Sequence, residues 1–336
     1  MNAFGRLFRM TIFGESHGEG VGLILDGCPA GLPLKPEDFQ EDLERRKGGI
    51  QKGTTPRQEA DLPLFKSGVF NEHTTGAPIT ILFENKNTRS GDYEKLRAIP
   101  RPGHADFVAH EKFGGFEDYR GGGHFSGRLT VALVAAGVIA KKLLQLVNTD
   151  LRAVILEIGG SADLEEGLQK AIDAKDSVGG IVECRVQNLP LSLGEPFFDS
   201  VESLIAHAVF AIPAVRGIEF GTGFSAAQMF GSEHNDPIID QTGRTVTNHA
   251  GGVVGGISNG NELVFRIAIK PTSSTPKEQE TFNRETGKRE LFSVKGRHDL
   301  CIALRVPVVL EAVTALVLVD LLLLEQQIPR VLKRKD

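Results

Sequence analysis

Five short segments carry side chains able to move protons or hold anions in turn-forming surroundings. The first, Gly14-Glu15-Ser16-His17-Gly18, has the literal spacing of a nucleophile elbow, G-x-S-x-G. That motif needs a helix directly after the serine. Here Gly20 and Gly22 lead into an apolar strand, and His298 precedes Asp299 with no His after it. A serine hydrolase using Ser16 is therefore the weaker enzymatic reading. A ligand loop of hydroxyl, imidazole and bare amides explains more than a plain glycine turn does. The second segment, Arg101-Pro102-Gly103-His104-Ala105-Asp106, sets His104 beside a glycine, where the ring can enter a cleft or simply be solvated.

The third, Tyr119-Arg120-Gly121-Gly122-Gly123-His124-Phe125-Ser126-Gly127-Arg128, reads as a triple glycine opening a long helix, an anion site made of free amides and the positive helix end. The fourth, Lys270-Pro271-Thr272-Ser273-Ser274, closes a strand with one cation and three hydroxyls, fit for a phosphate or a heterocycle edge, or for nothing beyond an exit loop. The fifth, Lys295-Gly296-Arg297-His298-Asp299, is either a solvated charge cluster or an irregular segment facing a site. Arg45-Arg46-Lys47, with Lys52 and Arg57 behind it, normally marks a solvated helix end, but it could add cations for a polyanion.

These segments need a scaffold. The spacing predicts strands over 7–13, 21–25, 79–84, 151–158, 181–187 and 263–270. It predicts helices over 36–47, 128–147, 163–175, 201–210 and 308–327. The segment Val306–Leu324 is the most apolar, yet Pro307, Glu311 and Asp320 suit a buried helix better than a membrane span. With 38 basic and 43 acidic residues the net charge is −5, so a general nucleic-acid or membrane-surface role has no support from charge. Cys28, Cys184 and Cys301 form no CxxC pair, which fits a reducing compartment. No low-complexity tract or linker divides the chain, and residues 1–336 are expected to form one α/β domain.

Taken together and in this order, the segments resemble the chorismate synthase family, from Gly5-Arg6-Leu7-Phe8-Arg9 through the five loops and Asn248–Gly256 to Gly296–Cys301. The chain departs from the family's usual Arg and Ser at His124 and Phe125, and from its usual Pro at Leu300. The resemblance implies an α+β fold, a β-α-β sandwich with central helices between two antiparallel sheets, assembled as a homotetramer. It implies a cytoplasmic lyase that makes chorismate from 5-enolpyruvylshikimate 3-phosphate with reduced FMN. An external flavin reductase would supply the reduced flavin, with NADPH as an alternative reductant. By the same resemblance His17 protonates the leaving phosphate and His104 serves the flavin N1 side. Asp299 tunes proton transfer at N5, and Ser16 and Ser126 relay it. The flavin shell would include His124, Phe125, Ser126, Pro213, Ala214, Gly255, Lys270, Pro271, Thr272, Ser273, Ser274 and Arg297. Arg46, Lys52 and Arg128 would meet substrate or NADP. Neither histidine loop is expected to carry core packing. A flavin- or phosphate-binding module without turnover is the non-enzymatic alternative.

Overall fold

The computed structural model describes residues 2–49, 52–55, 59–87, 97–294 and 298–333. Its first sheet is antiparallel in the order β1 (Ala3–Phe4), β2 (Arg9–Gly14), β3 (Gly20–Asp26), β5 (Ile79–Glu84), β4 (Leu64–Ser67). Its second is antiparallel in the order β8 (Val215–Phe220), β9 (Leu263–Ile269), β7 (Gly180–Gln187), β6 (Asp150–Ile158). In each, alternate residues turn inward: Val21, Leu23 and Leu25 oppose Phe83, Ile81 and Ile79, while Leu263, Phe265, Ile267 and Ile269 form the inner face of β9.

The long helices fill the space between the sheets. Thr130–Leu144 packs on β3 and on Val306–Leu324, and the latter packs in turn on β6 and β7. In chain order the helices are α1 (Gln40–Arg46), α2 (Asp106–Phe113), α3 (Thr130–Leu144), α4 (Leu164–Ala174), α5 (Val201–Val209) and α6 (Val306–Leu324). Helices α3 and α6 are apolar on all sides because both faces are covered. Among the described residues, two helical spans, Gly127–Val147 and Ile302–Leu324, are long and apolar enough to cross a membrane, and their most apolar stretches are 72 % and 94 % buried inside the protein. The chain is thus an α+β sandwich, sheet on helices on sheet, as the family resemblance implied.

The polar residues of α6 explain why this apolar helix belongs here. Glu311 accepts from Arg45 and Lys141, and from the Ala153 amide of β6. Asp320 accepts the amides of Arg6, Leu7 and Phe8 at 2.9, 2.7 and 2.7 Å. That triple contact also shifts the first long strand: residues 7 and 8, predicted extended, are bent onto α6, and β2 begins at Arg9.

Helices α3 and α6 approach most closely at Gly137, where a Cβ would overlap the Cα and Cβ of Ala312. Alanine is the better helix former by about 1 kcal/mol. Even so, Gly137→Ala is expected to destabilise the protein by about 1–3 kcal/mol, because overpacking at a backbone contact outweighs propensity. Chemical denaturation reads this directly, and a variant as stable as the parent would show that the two helices can separate without cost.

Candidate active site

A cavity of about 830 Å³ opens between the helices and several loops. Its floor is apolar, with Met10, Ile12, Leu133, Val309, Val313 and Leu316. Its other walls come from the segments singled out in the sequence. Arg46 enters from the end of α1, His104 from the 101–106 loop, and His124, Phe125, Ser126 and Arg128 from the approach to α3. Pro213 and Ala214 come from the turn before β8, Lys270, Pro271, Thr272, Ser273 and Ser274 from the exit of β9, and Asp299 from the approach to α6.

The triple glycine does not lead directly into the N-terminus of α3, as the sequence suggested. Gly121, Gly122 and Gly123 have φ of 61°, 79° and 51°, left-handed values that stop a helix. Ser126 instead caps a separate 3-10 turn, Gly127–Leu129, accepting the Arg128 amide at 3.3 Å, and α3 starts only at Thr130. What the glycines provide is close approach. A Cβ on Gly121 would lie 2.6 Å from His17 Nε2 and 2.9 Å from Ser16 Oγ. His17 and Ser16 therefore sit directly behind the cavity wall at Gly121, and both are buried. The expectation that neither histidine loop carries packing fails for His17, at 8 % exposure. Ser16, fully buried in the turn from β2 to β3, has no elbow geometry, and the hydrolase reading ends there.

Cations dominate one end of the cavity. Asp61, 4 % exposed, bridges Arg46 and Arg128: Oδ2 accepts from Arg46 Nη2 at 2.5 Å, and Oδ1 accepts from Arg128 Nη1. Burial alone would raise the Asp61 carboxyl, but the two guanidiniums outweigh it and hold it below the ordinary range. Burial pulls Arg46 down to about 10; Arg305 and Arg128 pull the same way, and Asp61 opposes them. Arg46 Nε is buried and makes no hydrogen bond among the described residues. Arg305 donates to the Arg46 carbonyl at 2.8 Å and to both Asp299 oxygens at 3.1 and 3.0 Å. Asp299 also accepts the Thr55 amide at 2.9 Å.

The opposite wall is tied together by hydrogen bonds. Lys270 Nζ donates to the Gly103 carbonyl at 2.8 Å and to Ser273 Oγ at 2.6 Å. Arg101 Nη1 donates to Ser274 Oγ at 3.0 Å. Partial burial, with Arg216 nearby, lowers the Lys270 ammonium. Thr272 Oγ1 is buried without a hydrogen-bond partner among the described residues. His124 Nδ1 meets the Gly14 carbonyl at 2.8 Å and Nε2 meets Asn2 Oδ1 at 3.1 Å, so the residue that departs from the family's arginine is held by this chain's own N-terminal strands.

Besides Ser16 and His17, which stand behind the wall, Lys52 and Gly255 do not line the cavity. Lys52 reaches Gln169 on α4 at 2.9 Å. Gly255 is exposed at the turn of the small hairpin 253–258, whose ends Val253 and Ser258 are buried. Arg297 lies outside the described residues. Conversely, Asp61, Arg101, Asp106 and Arg305 were given no role from the sequence. Arg101 and Asp106 stood inside a segment already marked, and Arg305, a lone cation at the head of the most apolar helix, was a usable signal.

Two antiparallel sheets enclose buried helices, and the cavity beside them gathers Arg46, Arg128 and Arg305, an arrangement suited to an anionic small molecule. The chorismate synthase family profile matches residues 8–323. A chorismate synthase of Chitinophaga pinensis is 72 % identical over 333 residues, spanning 99 % of this chain and all of that protein. One of Korarchaeum cryptofilum is 45 % identical over 346 residues, spanning 94 % and 96 %. A crystal structure titled as chorismate synthase superposes with a TM-score of 0.72 at 25 % identity, covering 96 % of this chain and 93 % of its own. The chain belongs to the chorismate synthase family, lyases of the shikimate pathway and aromatic amino-acid biosynthesis.

Proposed function

We propose that this chain forms chorismate and phosphate from 5-enolpyruvylshikimate 3-phosphate by a 1,4-anti elimination, with reduced FMN in the 830 Å³ cavity. The observation carrying this reading is the convergence of Arg46, Arg128 and Arg305 with His104 and the 270–274 loop on one cavity with an apolar floor. Its volume lies in the range of about 300–1,000 Å³ usual for ligand and cofactor sites. The donor set fits both groups. The unpartnered Arg46 Nε awaits an anion, and the unpartnered Thr272 Oγ1, beside Lys270, Ser273 and Ser274, suits the polar edge of a flavin. When bound, reduced flavin lends electron density as phosphate leaves and receives the hydrogen at N5.

The chain's own residues do the rest. Arg46 and Arg128 bind the phosphate and carboxylates of the substrate. His17, behind Gly121, gives a proton to the departing phosphate. His104 holds a proton toward the flavin N1 side. Asp299, fixed by Thr55 and Arg305, tunes proton transfer at N5, with Ser16 and Ser126 as relays. His124, Phe125, Pro213, Ala214 and Pro271 shape the flavin shell, completed by Arg297, and Lys52 meets substrate or NADP once ligands bind.

Gly255 belongs to that shell when a second copy presents its hairpin. The exposed side chains of Phe197, Phe198, Phe224 and Phe230 favour such self-association, and we assign a homotetramer. Residues 1–336 act as one domain, supported by one hydrophobic cluster that draws on both sheets. Reduced flavin comes from an external reductase, with NADPH as the alternative source. The three unpaired, buried cysteines suit the cytoplasm.

Because the overall reaction is redox-neutral, anaerobic incubation of substrate with reduced FMN should release chorismate, read by its absorbance, without consuming the reductant. Oxidised FMN alone should give no turnover. Full activity with oxidised FMN and no reductant would overturn the reading, and flavin binding without any turnover would favour the non-enzymatic alternative.

A further inference from the structure

We propose that Asp106 is a positioning residue that locks the His104 imidazole with Nδ1 as donor, leaving Nε2 as the nitrogen that serves the cavity. The inference rests on the reading of His104 as the acid on the flavin side. Asp106 is the first residue of α2 and does not line the main cavity, whereas His104 does. Its Oδ1 lies 2.6 Å from His104 Nδ1 and accepts from Arg101 Nη2 at 2.8 Å. Its Oδ2 accepts from Arg101 Nε at 2.7 Å and from the Arg101 amide at 3.1 Å. The carboxylate is thus pinned by a buried arginine whose remaining Nη1 reaches Ser274 in the loop after β9. Burial disfavours the charged Asp106, but Arg101 and His104 outweigh it and hold this carboxyl well below the ordinary range, so it is charged wherever the enzyme works.

The charge matters because of what else faces the ring. Arg101 Nη2 stands 3.1 Å from His104 Nδ1, and a guanidinium can only donate. It therefore opposes a protonated imidazole, and Asp106 offsets it. On the far side Arg97, Glu117, Asp118, Tyr119 and Arg284 share a small cavity with His104. Asp118 is occupied by Arg120, and Glu117 by His110. Lys270 lies over Gly103, and His17 lies beyond Gly121. Among the described residues, Asp106 is the one carboxylate within hydrogen-bond distance of the ring. His104 Nε2 packs on Gly122, where a Cβ would stand 3.5 Å away. It makes no hydrogen bond of its own among the described residues.

Asp106→Asn tests this sharply. An amide whose oxygen keeps Arg101 Nε and the Arg101 amide must turn its NH2 toward His104 Nδ1 and Arg101 Nη2. The ring can then only accept there, and the protonated form loses its partner while Arg101 remains. At neutral pH kcat should fall about 10²-fold or more, within the span of general acid catalysis. KM for the substrate should change little. The alkaline limb of the pH–rate profile should move to lower pH by about one unit or more, so part of the loss is recovered in acid. Asp106→Glu should restore much of it. A merely structural role would lower rates equally at every pH and leave the limb in place, and that result overturns the proposal. Ring 15N resonances of the unmodified protein give a check that no folding defect can spoil: Nδ1 must carry the proton, and an Nε2–H tautomer at high pH ends the idea. The two readings separate cleanly. If His104→Ala turns over normally, the role of His104 falls and the inference with it. If His104→Ala is impaired and Asp106→Asn is not, only the inference falls.

Discussion

Alanine at His17 or at His104 is expected to lower kcat by about 10²–10⁴-fold, the usual reach of a positioned acid. The two sites occupy different places around one cavity. His104 lines it directly, while His17 reaches it past Gly121, whose bare Cα is what lets the ring come so close. A departing phosphate and a reduced flavin are both anionic, and each stabilises a protonated imidazole beside it. The variants should differ in stability. His104 sits at the cavity edge, so His104→Ala should melt close to the parent. His17 is buried, so His17→Ala should lose about 1 kcal/mol, the usual size for a single substitution. Steady-state rates and melting curves together decide the matter: near-parental turnover in both folded variants removes these histidines from the mechanism.

The glycine at position 121 also tests the geometry behind this reading, because it marks where sequence reasoning stopped. Strand and helix patterns were legible where the spacing is strong: Ile79–Glu84 falls where alternation puts it, and α4 runs from its Asp163 cap to Lys175. The half-buried strands β4 and β8 and the short helix α2 carry no clear period and were not predicted. That the marked loops share one site followed from the family resemblance alone, since taken singly each loop also had a plain turn or solvated reading. What the sequence could not give were contacts made across the fold. Asp320 bends residues 6–8 from more than three hundred positions away. Asp61 pairs with Arg46 and Arg128, fifteen and sixty-seven positions off, and in the chain it is an ordinary acid in a polar stretch. The triple glycine misled because a helix-opening anion loop and a close-approach turn share a composition. Only the signs of the three φ angles distinguish them.

Removing the charge of Asp61 should have the largest effect on the folded state. Asp61 has φ of 52°, a left-handed value that Asn tolerates as well as Asp, so Asp61→Asn changes charge and little else in the backbone. It leaves Arg46 and Arg128 buried without their shared counter-ion, a loss of about 3–5 kcal/mol for a broken buried pair. The pH dependence has a definite sign. The native carboxyl is held below its ordinary range, so its contribution is complete above the unfolded value and disappears as pH falls through the native one. The gap in stability between parent and variant should therefore be wide near neutrality and narrow in acid. The same bare guanidiniums should welcome an external anion. Inorganic phosphate should raise the melting temperature of Asp61→Asn more than that of the parent, because a ligand that binds only the folded state stabilises it according to its affinity. Turnover should nonetheless fall, since the arginines gain affinity for any anion and lose the fixed geometry that selects the substrate. Equal melting temperatures and equal phosphate responses would show that Asp61 does not hold this pair, and that the cationic end of the cavity is organised by Arg305 and Asp299 instead.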